Sequence, residues 1–94
     1  MTTAEITGIA RIIARNQTLE GIRYRIRVVE TNGRRRPVDG SIEAAPGVIS
    51  ALYDAGESVI ELGSVLGWFG FVVTDAHLGE IKLTGWIDGR ALSG

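Results

Sequence analysis

The sequence predicts a mainly β fold, either a small antiparallel β-barrel or a strongly curved sheet of about six strands, with one short α-helix inserted between the third and fourth strands. Apolar residues alternate with polar ones, or form short bounded runs, along nearly the whole chain. Only one segment has helical spacing instead. Short loops join most of the strands, which favours antiparallel neighbours and a compact all-β architecture.

The first two strands are predicted at Ile6–Arg15 and Ile22–Thr31, with a polar loop over Asn16–Gly21 between them. The second strand is the clearest element, because its apolar side chains alternate with arginines and so define one buried and one wet face. The apolar set is Ile22, Tyr24, Ile26 and Val28, and the cationic set is Arg23, Arg25 and Arg27.

Asn32-Gly33 predicts a hairpin turn after the second strand. A two-residue loop would place Ile26 opposite Asp39 and mix the two faces. A three-residue loop with a bulge, in which Gly33 takes the left-handed conformation, keeps the faces separate and is the register that we expect. It adds Val38, Gly40 and Ile42 to the apolar face, and Asp39, Ser41 and Glu43 to the arginine face.

The third strand is expected to lie at an edge, or to begin only after a turn over Pro37–Gly40, because Pro37 has no amide hydrogen to donate. In the register above, arginines of the second strand meet Asp39 and Glu43 across the hairpin. Opposite charges in such positions attract, so part of the cationic face is expected to be neutralised within the chain.

The one helix is predicted over Ala45–Gly56, where Pro46 suits the first turn and Gly56 suits the residue after the end. Three turns are too short to be stable alone in water, so this helix is expected to cover one end of the sheet.

Three more strands follow the helix, separated by a tight turn at Gly63-Ser64 and a turn over Asp75–Gly79. Glycines at 67 and 70 within the middle strand indicate bulges or sharp bends. The last strand is expected to place Trp86 on its wet face with Lys82 and Thr84. These strands are predicted at Glu57–Leu62, Val65–Thr74 and Glu80–Asp88.

The length of 94 residues predicts a single domain over 1–94, with residues 89–94 as a frayed tail. There is no cysteine, which excludes disulfides and thiolate chemistry. The N-terminus has no secretory pattern, so a cytoplasmic location is expected. No apolar run approaches the ~20 residues that span a bilayer, so a membrane is not an expected partner.

Charge is distributed unevenly, and this asymmetry leads to the candidate binding residues. Residues 1–36 carry a net +5 and residues 37–94 a net −6. Arginine guanidinium groups are planar donor forks for phosphates, although here they could equally be solvated or paired with acids. Trp86 is a further candidate, because an exposed aromatic ring marks a contact surface. The candidates are Arg23, Arg25, Arg27, Arg34, Arg35, Arg36 and Trp86.

No catalytic residues, metal ligands or cofactor are predicted, and the protein is expected not to be an enzyme. Asp75 and His77 could form a base with its orienting acid, or half of a metal site. A closed metal site needs three or four ligands, and the sequence offers no such set at recognisable spacing. We therefore interpret Asp75 and His77 as turn residues.

Two short segments resemble the motifs of PilZ domains, which are β-barrels of similar size that bind cyclic dinucleotides. Arg11–Arg15 fits the RxxxR pattern, and Asp39–Ala44 is similar to DxSxxG. Ala44 stands where that family has glycine, and Arg11 and Arg15 fall in a predicted strand rather than in a flexible segment. The resemblance therefore does not assign the chain to that family.

The sequence favours a small non-enzymatic binding or assembly module that associates with itself or with a protein partner. The small size and the opposite charges of the two halves favour this hypothesis, because association buries surface and unlike charges attract. The alternative is a barrel that binds an anion, a nucleotide (a cyclic dinucleotide included) or a nucleic acid through its arginine-rich strand face. A sequence pI near 5.7 argues against nucleic acid.

Overall fold

The computed structural model describes residues 2–15 and 17–88 and shows a closed, six-stranded antiparallel β-barrel. The mainly β fold with one short helix between the third and fourth strands is therefore confirmed. The predicted tail at 89–94 lies outside the described residues. The elements are β1 (Thr2–Ala14), β2 (Gln17–Thr31), β3 (Arg34–Glu43), α1 (Pro46–Ala55), β4 (Ser58–Glu61), α2 (Gly63–Leu66), β5 (Trp68–Val73) and β6 (Glu80–Ile87).

Neighbouring strands follow the order β1-β2-β3-β6-β5-β4, and β4 pairs back to β1. No described helix is long and apolar enough to cross a membrane. The core is apolar and lies inside the barrel. Its buried residues are Ala10, Ile12, Ala14, Ile22, Ile26, Val28, Ile42, Ile49, Leu52, Ile60, Leu62, Phe69, Phe71, Val73 and Ile81.

The strands β1 and β2 form one long hairpin, and the loop predicted over Asn16–Gly21 was wrong. β2 already begins at Gln17, and only a register shift between Ala10 and Ile12 interrupts the pairing. At this shift β2 has one more residue than β1, and Gly21, at φ +71°, adopts the left-handed conformation there. The polar residues predicted the loop, but polar side chains also suit the outer face of a paired strand.

The turn between β2 and β3 has two residues, not the three that we predicted. Thr31 pairs with Arg34, and both Asn32 (φ 53°) and Gly33 (φ 78°) are left-handed, as hairpin turns of this length require. The expected bulge exists, but it lies within β3. Val28 pairs with Pro37 and the next pair is Arg27 with Asp39, so Val38 is the extra residue.

This displaced bulge keeps the two faces of the hairpin separate, as the predicted register did. Beyond it, Gly40 and Ile42 lie on the apolar face of β2, and Asp39, Ser41 and Glu43 lie on the arginine face. Val38 was wrongly added to the apolar face, where the buried Pro37 takes its place.

Two predicted elements around β5 were wrong. Gly63–Leu66 forms the helical turn α2 where a tight turn was expected, and β5 begins at Trp68 rather than at Val65. The left-handed Gly67 (φ 81°) ends α2 and turns the chain into β5. Short apolar runs do not distinguish a helical turn from a strand, because both bury such side chains.

Trp86 does not lie on the face predicted for it. Gly70 pairs with Gly85 but Phe71 pairs with Leu83, so Thr84 is an extra residue that reverses the alternation of β6. Trp86 is thereby opposite Phe69 and shares the inward-facing side of the sheet, away from the face of Lys82 and Thr84.

The two ends of the barrel differ. At one end α1 buries Ile49 and Leu52 against the core, as expected for a covering helix. At the other end the sheet splits, because β1 pairs with β4 only at Ile12 and Ile13, and β3 pairs with β6 only over residues 39–41. We call these the closed end and the open end.

Candidate functional site

A cleft opens at the open end, where β3 and β6 diverge. The prediction that β3 lies at an edge is correct only for its Arg34–Val38 part, which pairs with β2 and with no other described strand, because residues 39–41 also pair with β6. The alternative, a strand that begins only after Pro37–Gly40, is wrong, since β3 begins at Arg34. The resulting space, which we call the mouth cleft, has a volume of about 1050 Å³. Its lining residues are Val29, Thr31, Asn32, Arg34, Arg35, Arg36, Pro37, Val38, Leu66, Phe69, Leu83, Thr84, Gly85 and Trp86.

One wall of the mouth cleft is cationic. Arg34, Arg35 and Arg36 are the first residues of β3, directly after the hairpin turn, and all three line the cleft. Pairing with Thr31 and Val29 places Arg34 and Arg36 on the outer face of the sheet, whereas Arg35, opposite Glu30, lies on the inner face. Arg35 lies 3.8 Å from the Glu30 carboxylate, whereas Arg34 and Arg36 form no ion pair with any described residue. No aspartate or glutamate is among the described residues that line the cleft.

The other wall holds Trp86 above an apolar floor. Trp86 is 65% exposed although it faces the inner side of the sheet, because it lies at the open end, beyond the residues of β6 that pair with β3. A Cβ at Gly67 would lie only 3.3 Å from the indole nitrogen, so one edge of the ring lies against the Gly67 backbone. Leu66, Phe69 and Leu83 form the floor.

The cleft therefore brings together four of the seven predicted binding residues. The expectation that Trp86 is not an ordinary core residue is confirmed. The reason was wrong, because Trp86 is exposed on the inner side of the sheet and not on the wet face of its strand. Sequence reasoning missed the floor, because Leu66 and Leu83 were interpreted only as strand residues. The adjacent glycine at 67 indicated a bend, but not what that bend would support.

The strand arginines Arg23, Arg25 and Arg27 do not line the mouth cleft. They lie on the exposed outer face of β2, and part of their charge is neutralised as predicted. Arg25 lies 3.6 Å from Glu5 of β1. Arg23 pairs in register with Glu43, but their charged groups form no ion pair.

The strongest ion pair on this outer face joins Arg27 to Asp39. Nε and Nη2 of Arg27 donate to the two carboxylate oxygens of Asp39 at 2.9 and 2.8 Å, a bidentate geometry. These hydrogen bonds, aided by the charge of Arg27, lower the pKa of Asp39, and the same contact raises the pKa of Arg27. The guanidinium group of Arg27 is therefore already paired with a carboxylate of the same chain.

The interpretation of Asp75 and His77 as turn residues is confirmed. The Asp75 Oδ1 accepts hydrogen bonds from the backbone amides of His77 (2.8 Å) and Leu78 (3.2 Å), so this carboxylate holds the turn before β6. Within residues 2–15 and 17–88, no three histidine or acidic side chains cluster where they could hold a metal ion.

The two segments that resemble PilZ motifs are engaged elsewhere. Arg11 forms an ion pair with Glu20 at 3.1 Å, and Arg15 donates to the Asp54 carbonyl oxygen at 3.4 Å. Asp39 is held by Arg27. None of these residues lines the mouth cleft.

Comparisons with protein-family models, curated proteins and solved structures give no significant match. Three guanidinium groups can bind phosphate or carboxylate oxygens, and an exposed indole can stack on a flat ring. Thr31 also lines the cleft, and its hydroxyl can donate or accept hydrogen bonds.

Proposed function

We propose that the domain is a non-enzymatic binding module whose mouth cleft takes a small anionic ligand with a planar ring, such as a nucleoside phosphate. The observation that carries this proposal is the meeting of Arg34, Arg35 and Arg36 with the exposed Trp86 around one acid-free cleft. Ligand sites are typically concave and mostly apolar, with a few convergent polar groups.

The available charge supports this chemistry. Arg34 and Arg36 have no ion-pair partner among the described residues, so a ligand anion would not have to displace one. Arg35 is only weakly engaged, since its 3.8 Å contact with Glu30 is exposed and screened by water. Planar guanidinium groups also suit the tetrahedral array of phosphate oxygens.

Trp86 supports a ring rather than an anion alone. Its indole is exposed on one side and rests on Gly67 at one edge, so stacking would require little ordering of the side chain. Stacking of a base on an aromatic ring contributes about 1–3 kcal/mol. Leu66 and Leu83 would exclude water beneath it.

A small ligand fits better than a long nucleic acid. The whole chain carries a net charge of −1, and residues 37–94 carry −6, so an extended polyanion would meet repulsion outside the cleft. The cytoplasmic location expected from the N-terminus stays a prediction, as does the absence of enzymatic activity.

Amide NMR titrations with ATP, inorganic triphosphate and adenosine test the proposal. We expect ATP to shift the resonances of the mouth cleft and to bind more tightly than either of its two parts. Binding should weaken as salt rises, because phosphate contacts release counterions. An absence of cleft shifts at millimolar ATP and low salt would exclude this ligand class.

Matched variants localise the binding. Arg34→Gln with Arg36→Gln should weaken ATP binding about ten- to a hundredfold, as expected for losing two charge-assisted contacts. The control, Arg23→Gln with Arg25→Gln, removes the same charge from the outer face of β2 and should change affinity little. Equal losses in both double variants would mean that net charge, and not the cleft, governs binding.

A further inference from the structure

One edge of the barrel has no strand beside it. The Thr2–Ile9 part of β1 pairs with β2 on one side, and on its other side no strand in the described part of the chain adds to it. The side chains here are mostly exposed, and Ile9 is 67% exposed. We call this segment the open edge. Its unpaired amide and carbonyl groups are a template for another strand.

The open edge carries few of the features that prevent strands from adding. It contains no proline and no lysine, and its pairing with β2 is regular, with no bulge before Ala10. Threonine and isoleucine dominate its composition, and both residues favour strands. Its single charge, Glu5, lies 3.6 Å from Arg25 of the same chain, so the edge repels a neighbour only weakly.

We infer that the open edge is a dimer interface, at which β1 pairs antiparallel with β1 of a second copy of this chain. Two-fold symmetry is the commonest arrangement of homodimers, and an antiparallel pair of identical strands satisfies it. The six-stranded sheets of two barrels would then join through β1. The interface is separate from the mouth cleft and does not depend on the function proposed for it.

The sequence of the open edge selects one register. Inward-facing residues must stay opposite inward-facing ones, since a slip by one residue exchanges the faces. A pairing centred on Glu5 would set the two Glu5 carboxylates against each other. A pairing centred on Thr7 would extend to Arg11, close to the residues that pair with β4.

The pairing centred on Ile6 avoids both conflicts and remains within the open edge. Ile6 is half-buried and packs against the core of its own barrel, so two Ile6 side chains would continue the apolar layer across the symmetry axis. The remaining pairs place a small or uncharged residue opposite each larger or charged one. They are Thr3 with Ile9, Ala4 with Gly8, and Glu5 with Thr7.

Charged substitutions of Thr7 test this register, because each should have opposite effects on the stability of the single chain and on the dimer. Within one chain Thr7 lies opposite Arg25, so a glutamate here should preserve or raise the stability of the fold. In the dimer Thr7 faces Glu5 of the second copy. Thr7→Glu should therefore weaken dimerisation without unfolding the protein, and Thr7→Lys should strengthen it while slightly destabilising the chain.

Sedimentation velocity over a range of protein concentrations measures the dimerisation, and thermal unfolding measures the fold. We expect the wild-type chain to dimerise, and Thr7→Glu to raise the dimer dissociation constant roughly five- to tenfold, since each like-charge contact occurs twice. Thr18→Glu is the matched control, because Thr18 is an exposed residue of β2 near the closed end.

Three outcomes would overturn the inference. The wild-type chain could remain monomeric at several hundred micromolar, Thr18→Glu could weaken the dimer as much as Thr7→Glu, or Thr7→Glu and Thr7→Lys could act in the same direction.

The chain has no cysteine, so Thr3→Cys adds a single spin-label site. In the dimer the distance between two labels at 3 should exceed that between two labels introduced by Thr7→Cys.

Discussion

The closed and open ends of the barrel are built from the same strands but have different surroundings. At the closed end Ile12, Ile60 and Phe71 have no exposed surface, and α1 covers the core. At the open end Trp86 is largely exposed although it faces the inner side of the sheet. Stability is therefore concentrated at one end, and groups free to make contacts lie at the other.

This difference follows from how few residues join the two sides of the barrel. β1 meets β4 through two residue pairs and β3 meets β6 through three. Beyond these short seams the β1–β2–β3 ribbon and the end of the β5–β6 hairpin separate. One divergence creates the mouth cleft, and the other exposes the open edge.

The largest effect is expected from a substitution that creates a cavity at the closed end. Phe71→Ala should lower the free energy of unfolding by about 3–5 kcal/mol, because it removes a fully buried ring. Trp86→Ala, at the open end, should change it far less, since most of the indole is in water. Chemical denaturation measures both. Comparable losses in the two variants would contradict the division into a stable and a permissive end.

The seam between β3 and its neighbours offers the next test. A Cβ at Gly40 would overlap the Arg25 carbonyl oxygen, so Gly40→Ala must push two strands apart. We expect a loss of about 1–3 kcal/mol in the free energy of unfolding. Gly47→Ala is the control. Gly47 is in α1 with open space around it, so alanine there should raise stability by about 0.5–1 kcal/mol.

Ser58, at the start of β4, is a polar residue buried in the core, and its substitution tests how stable the core is. Its hydroxyl is buried and has no hydrogen-bond partner among the described residues. Ser58→Ala removes this unsatisfied group, so we expect a gain of about 1 kcal/mol rather than a loss. Thermal unfolding measures the change. A clear destabilisation would indicate that the hydroxyl has a partner in solution.

The smallest expected effect concerns Asp39, which lies where the seam meets the open end. Its pKa is lowered below the ordinary value of 3.8 by the hydrogen bonds from Arg27. The folded state therefore favours the ionised carboxylate, and this stabilisation is present above pH 3.8 and is lost as the pH falls through the lowered pKa. Both side chains are about half exposed, so the contribution is small.

Asp39→Asn should accordingly be slightly less stable than the wild type at pH 7, and the difference should shrink as the pH falls below 3.8. Unfolding curves for both proteins at several pH values measure it. Glu43→Gln is the control, because Glu43 lies on the same face of β3 and forms no ion pair with a residue that the structure describes. A constant difference between Asp39→Asn and the wild type at all pH values would contradict the role of the ion pair.

Much of the fold could be predicted from the sequence because apolar and polar residues alternate along most of its strands. The faces of β2 were predicted correctly, and so were the helix after Pro46 and the hairpin at Asn32-Gly33. The errors cluster at bulges. Alternation predicts which residues share a face only while each residue has one partner, and an extra residue such as Val38 or Thr84 reverses it.

The candidate site was predictable only as separate parts. Arg34, Arg35 and Arg36 stand together in the sequence, but Trp86 is distant from them, and nothing local indicated that β3 and β6 diverge between them. Arg23, Arg25 and Arg27 looked equivalent to the turn arginines. The structure separates the two groups by position, because the first lies along the middle of β2 and the second at the start of β3, beside the cleft.

By itself the sequence determined the β content, the inward and outward faces of β2, the place of the hairpin turn at Asn32-Gly33 and the excess of positive charge before residue 37. These properties depend on the period of two along a strand and on local backbone preferences. Only the tertiary structure decided where the barrel closes and where it splits. Closure depends on how many residues pair between strands far apart in the chain, and no local pattern encodes that number.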